Sequence, residues 1–125
     1  MAAVLPDGGI LLCGYQYNND VVARKCSKLL YGTWTSVANL NTPRGLAGMS
    51  LTPHGMLVSG GAYDNSGSTE YFNEATDKWS VGPKLPTDTR YHCQITTADM
   101  KTWIIGMFTC ISFRMSKPII YHRWQ

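Results

Sequence analysis

The sequence predicts an all-β chain built from β-propeller blades, and three observations carry that expectation. Similar elements recur at a spacing of 45–46 residues, each unit reads as a set of short strands, and loops rich in Asn, Asp, Ser and Gly separate them. No segment of ten or more residues with a helical period stands out in the body of the chain.

The first element is an apolar run that ends in glycine. "DGGILLCGYQY" (Asp7 to Tyr17) lies over "PHGMLVSGGAY" (Pro53 to Tyr63), so that Gly14 falls on Gly60 and Ile10-Leu11-Leu12 on Met56-Leu57-Val58. Continuous apolar triplets of this kind suit strands buried on both faces. The next element sets "CSKLLYGTWTSV" (Cys26 to Val37) over "YFNEATDKWSVG" (Tyr71 to Gly82) and places Trp34 on Trp79. Around each Trp the pattern predicts Trp and Val inward, with Thr and Ser outward. "ANLNTPR" (Ala38 to Arg44) then matches "PKLPTDTR" (Pro83 to Arg90) with one residue inserted, and "DMKTWIIG" returns to the first element at Gly106, 46 residues after Gly60. Four short strands in about 45 residues is the arithmetic of a propeller blade. The expected division is a first blade over 1–44, a second over 45–90, a partial third over 91–106, and a tail, 107–125, that does not match the repeat.

The chain resembles tandem kelch repeats. The second unit fits closely, with "MLVSGG" ending at Gly60-Gly61, the aromatic pair Tyr71-Phe72, and Trp79 seven residues after Phe72. The first unit departs twice: Tyr15 replaces the second glycine, and Cys26-Ser27 stands where Tyr71-Phe72 does. In the third, Met107 replaces the second glycine, and the tail "MFTCISFRMSKPIIYHRWQ" has no counterpart upstream. Its abrupt departure suggests a different reading of the gene, such as an unspliced intron. The signature positions Gly14, Trp34, Gly60, Gly61, Tyr71, Phe72, Trp79 and Gly106 are expected to be structural. The glycines would allow close backbone approach, and the Trp rings would be buried between blades. Two blades and part of a third do not close a ring, so the propeller is expected to be incomplete, its open faces met by further blades of a longer chain or by other copies.

Charge excludes little, but it has a location. The net charge of +3 arises wholly from Arg114, Lys117 and Arg123, because up to Gly106 eight basic residues balance eight acidic ones. No basic stripe with interleaved aromatics marks a nucleic-acid surface, and no apolar run approaches the roughly 18 residues of a spanning helix. The start, Met1-Ala-Ala-Val-Leu-Pro, lacks the features of a signal peptide, which leaves cytoplasmic and secreted locations both open.

Neither the four cysteines nor the three histidines show metal-site spacing, so no metal or other cofactor is expected. Cys13 reads as a small buried residue. Cys26 and Cys93 are a candidate disulfide between adjacent blades, which would imply secretion. The acidic residues read as loop or turn groups on a solvated face. No nucleophile elbow or His-Glu-x-x-His helix occurs. The favoured expectation is therefore a non-catalytic module that binds a protein partner. Its candidate contact residues are Tyr15, Tyr17, Asn18 and Asn19 in one loop, with Tyr63, Asp64 and Asn65 in the corresponding one. The alternative implied by the resemblance is a fragment of an extracellular propeller enzyme of the copper-radical, galactose-oxidase-like kind.

Overall fold

A computed structural model describes residues 1–15, 19–61 and 67–106, together with the backbone of two later strands. Three four-stranded antiparallel sheets follow one another along the chain. The first contains β1 (Ala2–Val4), β2 (Ile10–Cys13), β3 (Cys26–Leu30) and β4 (Thr33–Val37); the second contains β5 (Gly48–Thr52), β6 (Gly55–Ser59), β7 (Thr69–Asn73) and β8 (Lys78–Val81). The third begins with β9 (Cys93–Thr96) and β10 (Lys101–Ile105). It is continued by the backbone of β11 (Cys110–Arg114) and β12 (Lys117–His122), which lie in the segment that lacks the repeat's sequence. These are blades of an incomplete β-propeller.

The register shows where the two full copies correspond and where they slip. Met56 pairs with Phe72, which pairs with Trp79; in the first sheet Ile10 pairs with Leu29, which pairs with Trp34. Leu29, not Cys26-Ser27, therefore occupies the place of Phe72. The loop from β2 to β3 (14–25) is three residues longer than the loop from β6 to β7 (60–68), so the offset falls from 46 to 43. The hairpin after β3 (31–32) is two residues shorter than the one after β7 (74–77), which restores it to 45 at the Trp. The short hairpin is a Tyr31-Gly32 turn with φ of 48° and 77°, the type I′ geometry that follows the twist of the strands. The long loop contains α1 (Asp20–Arg24), a single helical turn in an otherwise all-β chain, whose N-cap Asn19 accepts from Val21 N and Val22 N.

Between the first and second blades lies the main apolar core. Leu11, Cys13 and Cys26 from the first meet Met49, Met56, Val58, Phe72 and Trp79 from the second. The Phe72 and Trp79 rings sit 4.9 Å apart, and the Trp79 indole donates to Ala38 O at 2.8 Å. Trp79 is 8% exposed, whereas Trp34 is 52% exposed. This corrects the expectation that both rings are buried: Trp34 lies on the same kind of face, but among the described residues no sheet covers it. Val81, expected inward, is 84% exposed because β8 ends the second sheet. Tyr71, opposite in parity to Phe72, turns to the other face, with its ring 6.2 Å from that of His54.

Two glycines mark the close approaches. Gly14 and Gly60 have φ of 62° and 66°; a Cβ on Gly14 would lie 2.2 Å from Arg44 O, and one on Gly60 would lie 2.1 Å from Thr89 O. Each strand end thus abuts the backbone that leads into the next blade, at a distance only glycine permits.

The cysteine pairing also differs from the expectation. Cys13 and Cys26 are joined, and Cys93 is an exposed free thiol. The physical reason is register: β2 and β3 place Cys13 directly opposite Cys26, with their Cα atoms 4.2 Å apart, while Cys93 starts β9 on the far side of the second blade.

Candidate functional site

The predicted loop residues come together only in part. Tyr17, Asn18, Tyr63, Asp64 and Asn65 lie outside the described residues. The Asn19 side chain caps α1, so its oxygen is engaged by backbone. Tyr15 does face a cavity of about 680 Å³ near the junction of the first two blades, with Lys25, Ser27, Ser36, Asn39 and Asp77 among its lining. The Tyr15 hydroxyl hydrogen-bonds Ser27 Oγ, and Asp77 Oδ1 accepts from Ala38 N at 2.8 Å, so both groups already have protein partners.

A buried, multiply bonded ion pair sits beneath the link between blades. Glu70, 2% exposed on β7, was expected on a solvated face and is instead enclosed. Its carboxylate accepts from Asn41 N at 2.8 Å, Thr42 N at 3.1 Å and Arg44 Nε at 3.1 Å. Arg44, 1% exposed, donates further to Gly60 O, Ser68 O and Ser68 Oγ. Burial pushes the Arg44 guanidinium below its ordinary value, and Glu70 opposes that shift. The pair fastens residues 41–44, the link from the first blade, onto the second. Nearby, Ala38 and Asn41 are tied to Asp77 and Trp79. The usable sequence signal was the arginine shared by both links, at 44 and 90. Arg90 is exposed, and in the third sheet Ile111 holds the register position of Glu70.

A second enclosed polar chain joins the second and third blades. The Ser59 hydroxyl donates to Gln94 Oε1, and its oxygen lies 2.9 Å from His92 Nε2. Gln94 Nε2 donates to Ser50 Oγ at 2.8 Å and Leu57 O at 3.0 Å. The run continues from Ser50 through Thr96 to Thr102. Because the Ser59 proton goes to Gln94, His92 Nε2 carries the proton and Nδ1 is a bare acceptor, enclosed with no partner among the described residues. A second proton on this ring would be a buried donor with nothing to accept it, and burial lowers the His92 pKa from 6.5 to about 4. The sign follows: the unfolded chain binds this proton more tightly, so the stability contribution is complete above pH 6.5 and is lost as pH falls from there towards 4. Between pH 7.5 and pH 5 the unfolding free energy should drop by about 2 kcal/mol from this group. Urea titrations at the two pH values check this, and His92→Gln should remove most of that difference.

Among the described residues, no three His, Cys, Asp or Glu side chains gather as a metal group. No helix among them is long and apolar enough to cross a membrane.

No family model and no curated protein matches the sequence. Solved structures do match its fold. A fungal alcohol oxidase of the AA5 family, solved in complex with copper, superposes with a TM-score of 0.67 at 21% identity over 80% of this chain. The chain spans about a quarter of that protein's length, 24%. The expectation of a non-enzyme is thereby corrected, since a solved protein of the same fold, matched over 80% of this chain, is an oxidase.

Proposed function

We propose that the chain supplies kelch-type blades to the propeller of an extracellular oxidase resembling the copper-radical, galactose-oxidase-like enzymes. The observation that carries this reading is the match of four-fifths of the chain to a copper-containing alcohol oxidase. The Cys13–Cys26 disulfide supports it, because such bonds persist in oxidising compartments. The described residues do not fit a copper centre by themselves. Their buried imidazole, His92, is bonded to Ser59 and has no group of ligating side chains around it. The role assigned to these blades is therefore to hold part of the ring rigid, and no step of the oxidation is derived from them.

The test uses the protein encoded by the full-length transcript, purified and loaded with copper. It should oxidise primary alcohols to aldehydes while reducing dioxygen to hydrogen peroxide, one for one, with the peroxide measured by a coupled peroxidase assay. Absence of both tight copper binding and peroxide across a panel of primary alcohols would overturn the reading.

A further inference from the structure

The two seams between blades are built from different materials. The first is an apolar core, running from Leu11, Cys13 and Cys26 to Met56, Phe72 and Trp79, with the Arg44–Glu70 ion pair beside it. The second is closed by a chain of polar side chains, in which Ser50 and Ser59 of the second blade join His92, Gln94, Thr96 and Thr102. An apolar core holds at any pH, whereas a polar chain with an imidazole in it depends on the proton count.

The seat of His92 is tight. A Cβ on Gly48 would lie 2.6 Å from its Nε2, and one on Gly60 would lie 2.9 Å from its Cε1, so the start of β5 and the end of β6 close around the ring. Among the described residues, the groups that face it offer nothing to a second proton. Gly48 on β5, Ser59 and Gly60 at the end of β6, Thr89 in the link and Gln94 on β9 have no titratable side chain. The charge that reaches closest by bonding is the Arg44 guanidinium, which donates to Gly60 O at 2.8 Å and is paired with Glu70. Arg90, Tyr91 and Cys93, the sequence neighbours of His92, are exposed. A proton added at Nδ1 would therefore be a buried charge with neither acceptor nor counter-ion, and moving the ring into water relieves it. The segment that carries the ring is tied to the second blade by two backbone bonds, Gly61 N to Thr89 O at 2.9 Å and Tyr91 N to Leu46 O at 3.1 Å.

We propose that residues 89–96, the end of the link and β9, form an acid-released latch: protonation of His92 undocks them from the second blade while the first two blades stay stacked. The ring binds its second proton more tightly in water than in its seat, so release is favoured as pH falls below about 6.5 and is reversed at neutral pH. This goes beyond a general loss of stability, because one seam opens ahead of the other. The inference rests on the second seam alone and does not depend on the oxidase reading.

Amide hydrogen exchange of the intact isotope-labelled chain, read by NMR at pH 7.5 and pH 5 and corrected for intrinsic exchange at each pH, tests it. Gly61 and Tyr91 should lose protection about 30-fold between the two pH values, the change in His92 proton affinity expressed as a ratio. At pH 5 they should also be at least about tenfold less protected than the Asn41 amide and the Trp79 indole proton, which cross the first seam, and should respond less steeply to low urea. One shared protection factor and urea response at both seams would mean that the blades open only together, and overturns the proposal. So does protection at Gly61 and Tyr91 that is the same at both pH values. His92→Gln, whose side-chain amide still donates to Ser59, should abolish the pH-dependent loss, and a folded variant that keeps it overturns the proposal as well. The comparison of the two seams needs only the native chain, so it decides the matter even where a substitution at 92 prevents folding.

Discussion

Replacing Glu70 with Leu should lower the unfolding free energy by about 3–5 kcal/mol, the cost of leaving a buried guanidinium without its partner. Arg44 is almost fully enclosed, and its remaining partners, Gly60 O, Ser68 O and Ser68 Oγ, do not neutralise its charge. Arg44→Met should cost a similar amount by stranding the carboxylate. The double variant Arg44→Met/Glu70→Leu should be less destabilised than the two single losses added together, because no unpaired charge remains. Recovery should be incomplete, since Asn41 N and Thr42 N also lose their acceptor. Urea unfolding of the four chains checks this. Strict additivity would mean that the pair is not coupled, contrary to its 3.1 Å Nε–Oε1 contact.

Trp79→Ala should cost about 3–5 kcal/mol, as expected for an enclosed aromatic whose removal leaves a cavity. The loss includes the Phe72 ring contact, the indole bond to Ala38 O, and packing against the first blade. Trp34→Ala is the matched control, with the same residue type at the same register position and no cover. It should change stability by no more than about 0.5 kcal/mol. Thermal melts with a two-state fit measure both. Equal costs at the two positions would mean that Trp34 is buried too, and the order of blades described here would be wrong.

What the sequence made legible was the periodic part. Gly14, Gly60, Trp34 and Trp79 carry the repeat, and the backbone approaches at the two glycines show why that residue type recurs. The content of each position was harder to read. Leu29 was missed as the counterpart of Phe72 because one loop is three residues longer and one hairpin two shorter, and a single offset cannot represent both. Glu70 was missed because a charged residue in a polar-looking segment is normally solvated; its burial is compensated by groups 26 to 29 residues earlier in the chain. The Cys13–Cys26 bond needed the β2–β3 register, which the slipped alignment obscured. Exposure of Trp34 depends on what lies beyond the first sheet, which no local pattern encodes. The loop residues proposed for partner contact divide in the same way. Asn19 caps its own helix and Tyr15 bonds the Ser27 side chain, both local structural tasks that composition alone did not distinguish from recognition.

Direct stacking of one sheet on the next is read most cleanly by nuclear Overhauser contacts in the isotope-labelled chain. The side-chain amide protons of Gln94 should show cross-peaks to Ser50 and Leu57, and the Trp79 indole proton should show one to Ala38 and exchange slowly with solvent. Absence of all three contacts in a folded chain, with an indole proton that exchanges as fast as in a free peptide, would contradict the stack of blades.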